Sequence, residues 1–193
     1  MASILNADTT NGLKISSDTS GEIKLQSAGT DIATVSSSGI TMASGKGLVT
    51  TAPAFSAYMG SDLTLTSGVY TKVPLDTEDF DTTSDFDSTT NYRYTPSVAG
   101  YYQINATLRV VATSRTTTAI SLYKNGSAYK VLNVNRESSS SSGMVSGSTL
   151  IYMNGSSDYI ELYGLVNFSS AGRYDYVSSV DSCFFSGFLA RAV

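Results

Sequence analysis

Between residues 76 and 87 the sequence places six carboxylates: Asp76, Glu78, Asp79, Asp81, Asp85 and Asp87. Hard oxygen ligands at this density suit Ca²⁺, and Asp76, Glu78, Asp79 and Asp81 are the four on which a calcium site would draw. The spacing matches no EF-hand loop, having neither its central Gly nor its terminal Glu, so a solvated acidic loop is the simpler expectation and no metal is called for. The same acids are the one formal source of glycosidase-type chemistry, which needs a carboxyl of raised pKa in a walled cleft. A Thr-rich loop provides little burial, and no catalytic residue is assigned. A second group, Arg173, Tyr174, Asp175 and Tyr176, lies in the segment 169–179 and has the Tyr, Arg and Ser mixture that recognition surfaces favour. Its alternative is an ordinary hairpin loop whose tyrosines lie on the sheet. Cys183, beside Phe184 and with no neighbouring cation, reads as a small buried core residue.

The composition narrows the chemistry further. The absence of His removes imidazole bases and His-ligated metals, and a single Cys removes disulfides within the chain and thiolate clusters. Without these groups the sequence reads as a non-enzyme with no cofactor. A net charge of -4 with no run of Lys or Arg argues against partnership with nucleic acid or an anionic membrane. The N-terminal residues carry no basic and apolar signal pattern, and no window is long and apolar enough to span a bilayer, so synthesis and assembly in a cytoplasm are expected.

Ser and Thr account for 56 of 193 residues and Pro for only 3, a strand-and-turn composition. Residues 1–52 contain no aromatic ring; instead short apolar pairs follow glycines, Leu13 and Ile15, Ile23 and Leu25, Ile40 and Met42. The run 32–35 fits less cleanly, because Ile32 and Val35 cannot share a strand face. Units this small cannot bury a core alone, which predicts a stalk intertwined with other copies or an anchor that orders on a partner surface, with 43–52 equally readable as a linker.

Residues 53–193 hold every Tyr and Phe. Over 100–113, Tyr102, Ile104, Ala106, Leu108 and Val110 alternate with Tyr101, Gln103, Asn105, Thr107 and Arg109, the pattern of a half-buried strand. Asn125-Gly126 between 119–124 and 129–134, and Asn154-Gly155 between 149–153 and 159–165, predict two hairpins with type I′ turns. The Ser tract 138–142 ending at Gly143 predicts a mobile loop tip. The closing run Phe184, Phe185, Phe188 and Leu189 is apolar on both faces, which suits a central strand covered by the core on one side and by a second layer or neighbouring subunit on the other. No helix-period segment occurs, so the fold class is all-β, a sandwich of eight to ten strands preceded by a short β-rich stalk.

Tyr94, Gly100, Tyr102 and Ile104, with Ser-Leu-Tyr-Lys-Asn-Gly at 121–126 and Phe-Ser-Gly-Phe-Leu at 185–189, resemble the pattern of the C1q/TNF-like jelly-roll family. Ile104 stands where that family usually carries Phe. Residues 11–30 resemble N-terminal segments of fibre-like and decoration proteins of tailed bacteriophages. Together the two resemblances imply a homotrimeric virion protein assembled in the host cytoplasm: residues 1–52 as attachment segment, contacting major capsid or tail proteins, and residues 53–193 as head. They imply a capsid decoration, head-fibre or short tail-fibre role. The alternative they leave open is an adhesin head that binds a glycan or receptor on the host surface. In this reading Leu13, Ile15, Ile23 and Leu25 serve the anchor, and Phe184, Phe185, Phe188 and Leu189 the core and trimer contact.

Overall fold

The computed structural model describes residues 21–47, 52–177 and 182–193. The chain divides into two compact units, Met1–Thr50 and Thr51–Val193. Every regular element among the described residues is a strand. In the first unit β1 (Ile23–Ser27), β2 (Thr30–Ser36) and β3 (Gly39–Met42) form an antiparallel meander. Ala28 and Gly29, at φ of 50° and 76°, turn β1 into β2 with the left-handed pair that matches strand twist. The register aligns Ile23, Val35 and Ile40 in one row and Leu25, Ala33 and Met42 in the next. Alternation therefore puts all six on one face, and Ile32 on the other. On that face Leu25 is 53% exposed and Ile40 71%, whereas Ala33 in the central strand is buried. Leu13 and Ile15 lie outside the described residues.

The second unit is built on a long ribbon. β4 (Ala54–Tyr58), β5 (Leu63–Thr64), β6 (Thr71–Lys72), β7 (Thr77–Asp81), β8 (Phe86–Asp87) and β9 (Arg93–Tyr94) are short, whereas β10 (Gly100–Lys124) and β11 (Ser127–Met153) have 25 and 27 residues. β12 (Ile160–Asn167), β13 (Gly172–Tyr174) and β14 (Phe184–Ala192) complete it. β10 and β11 pair from Gly100 opposite Met153 to Lys124 opposite Ser127, and Asn125 and Gly126, at φ of 53° and 76°, close the first expected hairpin. The pairing breaks step at Val111, Arg115 and Thr117, with Ser114 at φ 50°. There the ribbon passes from one layer to the other. Residues 100–107 of β10 pair with β14, which continues to β4 and β7; residues 117–124 pair with β12, which continues to β9 and β8 and also carries β6. This is a jelly-roll sandwich.

The core between the layers comes from the inward half of each alternation. Phe55, Tyr94, Tyr102, Ile104, Leu108, Leu122, Leu162 and Phe185 are all buried. The Phe55 ring stacks on Tyr94 at 4.1 Å and meets Phe185 edge-on at 5.2 Å, a geometry that adds to the transfer free energy of the rings. Gly187 belongs to this packing, because a Cβ there would lie 2.6 Å from the Ile104 side chain and 2.9 Å from the Phe55 ring. Burial pushes the Tyr102 hydroxyl up to about 12, and it donates to the Val98 carbonyl at 2.8 Å. The Cys183 thiol is likewise pushed up to about 11 by burial, as its core reading requires.

Two expectations are corrected. The Ser tract is no loop tip: Ser140 and Ser142 are partnered with Arg115 and Val111, inside β11. Gly143 is needed there because the buried Arg115 guanidinium would lie 2.1 Å from a Cβ, and it is held by Glu137 at 2.7 Å and the Ser142 carbonyl at 3.0 Å. A buried cation with these partners keeps the ribbon continuous where serines alone would turn. The second Asn-Gly makes no hairpin either. Residues 149–153 pair with the first half of β10 and β12 with its second half, so the segment between them crosses from layer to layer. Asn154 Oδ1 accepts the N–H groups of Ser156, Ser157 and Asp158 at 3.0 Å each, an Asx turn in place of a type I′ turn.

Asp158 joins the two Asn-Gly motifs. Its carboxylate accepts Asn125 Nδ2 at 2.8 Å and the Asn154 N–H at 3.1 Å, and it pairs with Lys124 at 2.7 Å. Burial raises its pKa, but these donors outweigh burial and hold the carboxyl below its ordinary value. The depressed pKa sets the sign: the stabilisation is complete above the unfolded-state value near 3.8 and is lost as pH falls through the lower folded value. Asp158→Ala is expected to lower stability by about 1–3 kcal/mol at pH 7. Its deficit relative to the native chain should shrink by pH 3, measured as the melting temperature of both proteins across that range.

Candidate interaction surfaces

The acidic segment does not converge. Asp76 accepts the Gly60 N–H at 2.6 Å, Asp79 the Ser56 hydroxyl at 2.8 Å and Glu78 the Ser88 hydroxyl at 2.6 Å. Asp81 caps the N–H groups of Thr83 and Phe86, and Asp87 those of Thr89 and Thr90. Backbone donors are the main cause that holds the Asp87 carboxyl well below its ordinary range. Each acid has its own separate donor, and among the described residues no three metal-ligating side chains face a common point. Asp81 caps a local turn, whereas Asp76, Glu78 and Asp79 accept from groups 10 or more residues away.

The expected contact loop is corrected in part. Tyr174 is fully buried, its hydroxyl lying 2.8 Å from both the Thr71 and Gly164 carbonyls. Asp175 is buried as well and takes Arg109 at 2.7 Å on one oxygen and Arg173 at 2.7 Å on the other. Arg173 also reaches Asp62 at 2.8 Å, and Asp62 accepts the Tyr176 N–H at 2.7 Å. These four residues pin β13 and its approach against β10 and β5. The reason is parity: Tyr174 pairs with Val110, an inward position of β10. Arg173 stays on the surface and Tyr176 packs partly against the core.

The closing strand divides as its two apolar faces suggest. Phe185 points into the core and Leu189 packs partly against it, while Phe184 and Phe188 belong to the outer face. Phe188 is 49% exposed. Register places it beside Gln103, which is opposite Leu150, and sets Tyr101 opposite Tyr152. The last two rings are 5.6 Å apart. Met144, opposite Arg109, and Phe80, opposite Ser56, lie on the same side, so Phe80, Tyr101, Met144, Leu150, Tyr152 and Phe188 are exposed on one face of the layer, with Gln103, Asn105, Ser146, Ser148 and Ser186 between them. Arg109 also falls on this face, neutralised by Asp175. Sequence alternation marked Tyr101 as outward, but the partners come from strands some 50 and 90 positions away.

The other layer shows a different surface. Tyr123 and Tyr163 stack at 3.8 Å, Tyr70 lies 6.2 Å from Tyr123, and Lys72 stands 5.9 Å over Tyr163 while ion-paired to Glu161. Arg93 lies 4.2 Å over Tyr159. Nothing in the local sequence signals this grouping, since β6, β10 and β12 bring it together.

No protein-family model matches the chain, and no curated protein sequence is significantly similar to it. Solved structures are similar in fold. Murine APRIL at pH 8.5 aligns over 72% of this chain and 98% of its own, at 10% identity and a TM-score of 0.51. Murine APRIL at pH 8.0 covers 71% and 97%, at 9% identity and 0.51. Eiger TNF from S. frugiperda covers 74% and 93%, at 11% identity and 0.46. Identity this low speaks to architecture only, and on that footing the chain carries an all-β, TNF-like jelly-roll fold.

Proposed function

We propose that the chain is a homotrimeric structural component of a bacteriophage virion, a capsid decoration or head-fibre protein or a short tail fibre, with no catalytic step of its own. The observation that carries this reading is that each unit leaves large apolar side chains exposed on a sheet face: Leu25 and Ile40 in the first, and Phe80, Tyr101, Met144, Leu150, Tyr152 and Phe188 in the second. Large apolar side chains grouped on an exposed sheet face favour an interface. Three copies around one axis close such a contact without leaving a free end, and the resemblance to C1q/TNF-like heads favours three. The two units then divide the work. The head associates through its own layer, and the meander, too thin to bury Leu25 and Ile40, packs against other copies or against a major capsid or tail protein. The virion setting is supported by the resemblance of residues 11–30 to attachment segments of phage decoration and fibre proteins.

Labelled imaging of particles tests this. An antibody to the head is expected to decorate purified particles at symmetric positions on the capsid or tail, and particles assembled with only residues 53–193 are expected to lack the label. Particles free of the full chain would overturn the assignment.

A further inference from the structure

On the layer remote from the apolar face, Tyr70, Ser121, Tyr123, Tyr129, Lys130 and Val131 line a recess of about 150 Å³. We propose that this recess binds one pyranose ring of a glycan. The inference adds to the virion reading and does not rest on it.

Three observations point to a sugar. The walls are aromatic and open: Tyr70 is 39% exposed and Tyr129 49%. Tyr123 is buttressed by Tyr163 at 3.8 Å, so the wall is rigid before any ligand arrives, which lowers the ordering cost of binding. A pyranose offers such rings its C–H face. The second observation is Ser121, which is 3% exposed and whose hydroxyl has no hydrogen-bond partner within the protein although it lines the recess. A buried hydroxyl left unpaired costs free energy, and a ligand hydroxyl removes that cost. Third, the lining includes a donor suited to a further hydroxyl: Lys130, which reaches Thr149 at 2.9 Å. Aromatic walls with a few convergent polar groups are the usual make-up of a small-ligand site.

Size selects among occupants. A water takes about 30 Å³ of liquid volume, so the recess has room for roughly five waters, the bulk of one sugar ring. A proline-rich peptide also uses tyrosine grooves but needs an elongated track of at least one turn, about 9 Å, with successive pockets. A second copy of the chain is better served by the apolar layer, where the exposed side chains include Leu150, Met144 and Phe188.

The test is ligand-observed saturation-transfer NMR on the full chain with methyl β-D-glucopyranoside, methyl β-D-galactopyranoside, N-acetylglucosamine and N-acetylneuraminic acid. At least one is expected to receive saturation on its ring protons and to titrate with a Kd of roughly millimolar order. Tyr129→Ala should weaken it about tenfold. Ser121→Ala should weaken it several-fold while leaving the melting temperature unchanged or raised, since it removes an unpaired hydroxyl; a merely structural serine would not separate the two readouts. The proposal is overturned by any of four results: no saccharide saturated by the native chain, equal affinity in both variants, a fall in molecular mass on Tyr129→Ala that exposes the face as a self-contact, or binding of a hexaproline peptide in place of the sugars.

Discussion

On the proposed homotrimeric reading, the double substitution Leu150→Glu and Phe188→Glu is expected to convert the protein from about three times 20.3 kDa to a monomer, read by light scattering at micromolar concentration. Both side chains are about half exposed within one subunit, Leu150 at 54% and Phe188 at 49%, so the subunit itself tolerates carboxylates there. Buried in an apolar contact between copies, each carboxylate would lose its hydration with no counter-charge, a penalty of several kcal/mol per ion. Two per subunit, repeated around the axis, exceed what an interface of ordinary size provides, and association should weaken by more than a thousandfold. Far-ultraviolet circular dichroism should stay that of a β protein, while the melting temperature falls because mass action no longer favours the folded state. A double variant that remains trimeric would place the contact on another surface.

The second large effect is on stability. Tyr174→Ala removes a fully buried ring and leaves two carbonyl groups, those of Thr71 and Gly164, without their donor. Truncating a buried aromatic to Ala costs about 3–5 kcal/mol, against a total of about 5–15 kcal/mol for a domain. Urea unfolding should show a midpoint lowered by about a fifth of its value or more. Tyr174→Phe, which keeps the ring and loses only the hydroxyl, should cost about 1–2 kcal/mol. A Tyr174→Ala variant as stable as the native chain would restore the surface role that residue type alone suggests. Arg173→Ala is the contrasting case, since its guanidinium and Asp62 are exposed and the buried Asp175 keeps its ion pair to Arg109.

Much of this molecule is legible one strand at a time. The alternation from Tyr102 to Val110 fixed which side faces the core, because side-chain direction in an extended chain has period two whatever the strand pairs with. Asn125-Gly126 marked its turn, because two adjacent residues at positive φ are a local backbone requirement. The two-faced closing strand, with Phe185 inward and Phe188 outward, followed from the same parity. Asn154-Gly155 carried the same dipeptide and had another outcome, since Asp158 and the layer-to-layer crossing are supplied by the fold.

What the tertiary structure alone decided are the properties that depend on which strands become neighbours. Tyr174 looks like a surface tyrosine by composition and is buried because β13 pairs with β10 at Val110. The serines at 140 and 142 stay in a strand because Arg115 is buried across from them. The carboxylates of 76–87 are dense in sequence yet each takes a different donor, some in its own turn and others, such as Ser56 for Asp79 and Gly60 for Asp76, brought in by the fold. The apolar face and the tyrosine recess both draw on strands far apart in the chain, so no local pattern encodes them. Alternation, set by backbone geometry, told each residue its side; only pairing, set by the global burial of the core, told it its company.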